Sequence, residues 1–157
     1  MSWTTPRRAI LLSASAEGGT PLNAFDNALL RMGIGNANLV RLSSVIPPHV
    51  EWIERLPEIP IGLLLPTVYA EATASEPGER IAAALGVGLR PGDAGGLIYE
   101  YAGHGDRACA EAQVRAMVEE GFAVRGWELG RFFAGVAEAR VKDRPVAAVA
   151  AVVMFPY

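Results

Sequence analysis

Apolar positions along the chain fall into short runs broken by Gly and Pro, and their spacing separates strands from helices. Residues 8–14 (RAILLSA) read as a first strand. After a polar turn at 15–19, Thr20 and Pro21 form an N-cap and first-turn pair that opens a helix, running to about Met32 with Gly33 as its C-cap. Residues 38–46, rich in Val, Leu and Ile, read as one strand, stopped by Pro47-Pro48 because proline cannot continue a hydrogen-bonded ladder. Residues 61–73 and 80–89 are further apolar segments, the second ambiguous between strand and helix, and 96–101 read as a buried strand. Asp106 is placed to cap a second helix through Glu120, with apolar positions at Ala110, Val114, Met117 and Val118 and with Gly121 closing it. Strands are expected over 124–129, 135–141 and 146–154. That is too many strands between the helices for strict alternation, so the pattern predicts an α+β fold with a largely antiparallel or mixed sheet. No repeat or linker divides residues 1–157, and the length suits a single domain.

Composition narrows the function classes. Apolar residues are 51% of the chain and charged ones 20%, which fits a globular core and excludes wholesale disorder. With a net charge of -3 and no basic run longer than Arg7-Arg8, nucleic acid is a poor partner, because phosphate binding needs clustered cations. The lone Cys109 cannot close an intramolecular disulfide, and no Cys/His spacing suggests a metal site. This usage points to a reducing cytoplasm. The apolar stretch after Arg7-Arg8 is far too short for export or a membrane span, and no longer one follows.

Several polar residues stand in apolar surroundings. On a helical wheel Asp26 falls between Leu22 and Leu30, in an arc shared with Phe25, Leu29 and Met32. A carboxylate there needs a cation, a hydrogen-bond network or a wet pocket, since burying it alone costs several kcal/mol. Pairing with an arginine such as Arg41 is the plain reading, and ligand binding the alternative. Along 96–101, Leu97, Tyr99 and Tyr101 share one face and Ile98 and Glu100 the other, so Glu100 reads as enclosed and suited to proton transfer. A strand-end glutamate facing solvent is the competing reading. Ser43 and Ser44 close an apolar strand, with no Gly-x-Ser-x-Gly motif and with His49 and His104 spaced like loop residues, so spacing announces no triad. Gly33-Ile34-Gly35 lacks the third glycine of a dinucleotide fingerprint and precedes a strand.

Five motifs run in order over nearly the whole chain: EGGTPLNAFD at 17–26, GIGNAN at 33–38, LSSVIPP at 42–48, GLIYE at 96–100 and GFAVRGWE at 121–128. In them the sequence resembles the pyruvoyl-dependent arginine decarboxylases. The resemblance implies a four-layer αββα sandwich assembled as a homotrimer with active sites between subunits, and leaves open whether trimers pair. It implies that Ser44 attacks the carbonyl of Ser43, that the resulting ester eliminates to dehydroalanine, and that hydrolysis yields a pyruvoyl group. The products would be a β chain of residues 1–43 and an α chain of 44–157. The cofactor would form a Schiff base with the substrate amine, without metal or pyridoxal phosphate, and turn L-arginine into agmatine and CO2.

By the same resemblance Glu100 is the proton donor to the α-carbon, Asp26 binds the guanidinium, and Asn38 assists processing. Six residues of extended strand would put Asn38 roughly 20 Å from Ser44 at ~3.3 Å per residue. Asn38 is therefore expected to act from a neighbouring subunit or across a bend. Two alternatives remain: decarboxylation of another amino acid, against which Asp26 argues because an acidic substrate needs a cation, and a non-catalytic trimeric binding module that never cleaves itself.

Overall fold

The computed structural model describes residues 4–156, so Met1 to Trp3 and Tyr157, at the outer ends of the two expected chains, lie outside the described residues. The strands are β1 (Arg8–Glu17), β2 (Asn38–Arg41), β3 (Val45–Ile46), β4 (Glu51–Trp52), β5 (Leu64–Ala74), β6 (Arg80–Leu89), β7 (Gly96–His104), β8 (Arg131–Arg140) and β9 (Val146–Phe155). The helices are α1 (Pro21–Met32) and α2 (Arg107–Arg125). One five-stranded sheet has the order β2-β5-β9-β1-β4 and one four-stranded sheet the order β3-β7-β6-β8. β1 and β5 flank β9 antiparallel, while β2 and β4 join the edges parallel to β5 and β1. The four-stranded sheet is antiparallel throughout. The fold is α+β, with two mixed or antiparallel sheets.

Strand alternation produces the layering. Val68, Ala70, Leu85, Val87, Ile98, Ala148 and Val152 interleave between the two sheets. The opposite face of the first sheet (Ile10, Leu65, Val149, Val153) packs on Ala28, Leu29 and Met32 of α1. The outer face of the second packs on Ala110, Val114, Val118 and Phe122 of α2. The order α1, sheet, sheet, α2 gives four layers. β9 is buried along its whole length, covered on both faces, which explains its unbroken Val and Ala run.

The first helix starts and stops as its sequence predicts. Thr20 accepts the Asn23 N–H, Pro21 occupies the first turn, and Gly33 caps with a left-handed φ of 84°. Three expectations are corrected and one ambiguity is resolved. Residues 38–46 are not one strand, because the chain leaves the ladder at Leu42 and β2 and β3 belong to different sheets. The ambiguous segment 80–89 is a strand, central in its sheet. Residues 124–129 are not a strand, and Gly121 does not end α2: Gly121 is buried against Tyr99, where a Cβ would strike the ring, so it serves close packing rather than termination. The helix continues through Phe122 to a left-handed cap at Gly126, which bonds back to Phe122 and Ala123.

Candidate active site

The break after β2 carries the two serines. The Leu42 N–H donates to the Thr67 carbonyl at 3.0 Å, extending the pairing of β2 with β5 by one residue. Beyond it the Ser44 carbonyl accepts the Ile98 N–H at 2.8 Å, which begins the pairing of β3 with β7. Residues 42–44 thus step from one sheet to the other, with Leu42 packed into the apolar layer between them. Ser43 is exposed and Ser44 half-buried. Gly95 makes the docking of β3 possible: its φ is +88°, and a Cβ there would stand 2.6 Å from the Ile46 carbonyl oxygen.

Glu100 lies two residues beyond Ile98 on the same face of β7. It is not enclosed as predicted, because β3 covers β7 only at Gly96 and Leu97, and its side chain is 39% exposed. Its partner is Arg41, whose Nη2 is 3.6 Å from Glu100 Oε2. The same nitrogen donates to the Tyr69 carbonyl at 2.8 Å, and the guanidinium sits 4.4 Å above the Tyr69 ring. Phe25 of α1 contacts that ring from the helix side, with centroids 6.2 Å apart. A chain of contacts therefore links α1, the end of β2 and Glu100.

Asp26 is exposed, not enclosed in the apolar arc, and it is not the partner of Arg41. The face of α1 that meets the sheet is Ala24, Ala28, Leu29 and Met32, whose small residues let the helix sit close. Leu22 and Leu30, one turn to either side of Asp26, are 75% and 47% exposed. Asn38 is exposed as well, and its Nδ2 donates to the Gly62 carbonyl at 3.1 Å. Within one chain, then, Arg41 meets Glu100 and Ser44 is bonded to Ile98 on the same strand, while Asp26 and Asn38 are exposed. Sequence reasoning missed Tyr69 and misassigned Arg41; a lone tyrosine in an Ala- and Thr-rich strand was the available signal, and its register with β2 was not.

His104 ends β7 and is within 2.6 Å of Glu79 Oε2. That hydrogen bond, followed by one from the Glu76 N–H, holds the Glu79 carboxyl below the usual carboxylate range. Among the described residues no three His, Cys, Asp or Glu side chains gather as a metal site, and no helix is long and apolar enough to cross a membrane.

The sequence profile of the pyruvoyl-dependent arginine decarboxylases (PvlArgDC) matches residues 8–157, from β1 to the last residue. The chain belongs to this family. Curated pyruvoyl-dependent arginine decarboxylases of Thermococcus sibiricus and Pyrococcus abyssi are 68% and 67% identical over the full length of both chains. That of Methanocaldococcus jannaschii is 45% identical over 96% of this chain and 91% of its own. Ser44 is half-buried, and its carbonyl ties it through the Ile98 N–H to the strand that carries Glu100.

Proposed function

We propose that the chain is a self-processing arginine decarboxylase that makes its pyruvoyl group from Ser44 and releases agmatine and CO2. The observation that carries this reading is the step of Ser43-Ser44 between two sheets, flanked by Arg41 and Glu100, in a member of this family. In processing, the Ser44 hydroxyl attacks the Ser43 carbonyl and an ester replaces the broken amide bond. Elimination frees the Ser43 carboxylate and leaves dehydroalanine at position 44, and hydrolysis consumes water and releases ammonia. Cutting here severs no helix and no strand, so chains 1–43 and 44–157 stay joined by β2 on β5, by β1 on β9 and by the packing of α1.

The pyruvoyl group supplies a ketone conjugated to an amide, an electron sink for the charge left as CO2 departs. Glu100 gives a proton from its carboxyl to the substrate α-carbon. Asp26 takes the guanidinium, for which a bidentate carboxylate is a good match, and Asn38 assists processing. The assembly is a homotrimer with sites between subunits. Each outward-facing site residue has an exposed apolar neighbour that such an interface would cover, Leu22 and Leu30 beside Asp26 and Leu64 opposite Asn38, and Val45, next to Ser44, is exposed as well. Residues Asp26 and Asn38 of one subunit then serve Ser44 of the next.

Intact mass spectrometry under denaturing conditions tests the reading, together with release of labelled CO2 from carboxyl-labelled arginine. The expected result is two chains, 1–43 and 44–157, the second beginning with pyruvoyl, and CO2 from arginine but not from an acidic amino acid. A full-length chain that neither cleaves nor releases CO2 would overturn it in favour of a binding module.

A further inference from the structure

We propose that Arg41 is a positioning residue for self-cleavage, holding the Ser43–Ser44 peptide in place by tying the end of β2 in one sheet to Glu100 in the other. The inference rests on the reading of Ser43-Ser44 as the cleavage site.

Residues 42–44 have few restraints of their own. Leu42 is fixed to the first sheet through Thr67 and Ser44 to the second through Ile98, and among the described residues Ser43 has no hydrogen-bond partner. The angle of the Ser43 carbonyl to the Ser44 hydroxyl therefore depends on how the two sheet edges are held at this point. Arg41 is the side chain that bridges them. Its guanidinium is anchored on the first sheet by the Tyr69 carbonyl and ring, and reaches Glu100 on the second.

The magnitudes favour a local role over a global one. An ion pair at 3.6 Å with 51% and 39% exposed side chains contributes little to overall stability. Much of its entropic cost is already met, however, because stacking and the Tyr69 bond fix the planar group before it meets Glu100. The planar guanidinium also stacks on the Tyr69 ring while it meets the Tyr69 carbonyl and Glu100, a combination that a compact ammonium reproduces only in part. Attack within a chain is steeply sensitive to geometry, and loss of about 1.4 kcal/mol of orientation slows it about tenfold.

The test follows cleavage of the full chain by intact mass after a pulse of cell-free synthesis, in wild type, Arg41→Gln, Arg41→Lys, Glu100→Gln and the Arg41→Gln/Glu100→Gln double variant. Arg41→Gln is expected to cleave about tenfold more slowly, with Arg41→Lys partly rescued and the melting temperature within about 4 °C of wild type. The double variant should be no slower than its slower parent, because both substitutions break one link. Wild-type cleavage in Arg41→Gln, or slowing that multiplies in the double variant, would overturn the proposal. Should Arg41→Gln fail to fold, Arg41→Lys decides: slowed cleavage supports the tie and wild-type cleavage refutes it. A wild-type chain that never cleaves would instead overturn the proposed function.

Discussion

Gly88→Ala probes the seating of α2 on its sheet. Gly88 lies in β6 opposite Leu97 and Phe132, facing the helix. A Cβ added there would stand 2.5 Å from Val118 Cγ1, 2.7 Å from Phe122 Cε2 and 3.1 Å from Leu129 Cδ1. Val118 and Phe122 are fully buried, so neither can swing into solvent, and the helix itself must move. Overpacking of this kind costs about 1–3 kcal/mol. Replacing glycine also stiffens the unfolded chain and returns about 0.4–1 kcal/mol. At the middle of each range the balance is a loss of about 1.3 kcal/mol, or a fall in melting temperature of about 3–5 °C for a chain of this size. Thermal melting should be followed at fixed protein concentration, because assembly would make the midpoint concentration-dependent. Cleavage at Ser43-Ser44 should proceed at the wild-type rate, since that step packs through Leu42 on the opposite face of the sheet. An unchanged or raised melting temperature would refute the tight-packing argument, and slowed cleavage would refute the separation of the two faces.

Three further outcomes follow from the site and its surroundings. Glu100→Gln, allowed to finish processing, should remain folded and lose at least about a hundredfold in decarboxylation, the usual worth of a general acid; near-normal turnover would remove Glu100 from proton donation. Asp26→Asn should raise the KM for arginine about tenfold or more, from loss of a charge-assisted bond worth about 1.5–3 kcal/mol, with a smaller change in kcat; an unchanged KM in steady-state assays would exclude it from guanidinium binding. Because the Glu79 carboxyl is held below its ordinary value, its bond with His104 stabilises the fold above the carboxylate range, and that stability is lost as pH falls through the lowered value. The small excess in melting temperature of wild type over Glu79→Gln should accordingly vanish in acid, and an excess that grew on acidification would contradict the assignment.

Most of the fold was legible where one local signal decided it. Thr20, Pro21 and Gly33 bound α1, and Asp106 caps α2, because capping is satisfied within a few residues. The failures came where a distant partner decided. Gly121 looked like a terminator, but the Tyr99 ring across the layer requires a glycine there, and nothing near Gly121 in sequence says so. Residues 38–46 read as one strand since each half suits a strand; the step between sheets at Leu42 exists because β5 and β7 lie in different layers. The broken strand also removes the straight-chain separation of Asn38 from Ser44 as a measure of their distance.

Asp26 shows how a wheel can be right about a face and wrong about its environment. Leu22, Asp26 and Leu30 do share one side of α1, yet Ala24 and Ala28, on the side that meets the sheet, lie about half a turn away. Hydrophobicity favoured the leucines as the core face. Close approach favoured the alanines, which bring the helix backbone near β1 and β9. What remains outside is a carboxylate between two leucines, a poor surface for an isolated chain and a suitable one for a second copy that brings a cationic substrate. The same division runs through the site: Arg41 and Glu100 meet within the chain, while Asp26 and Asn38 face away from it. Half of the proposed site thus lies within one chain, and the exposed half is the part that the proposed trimer would complete.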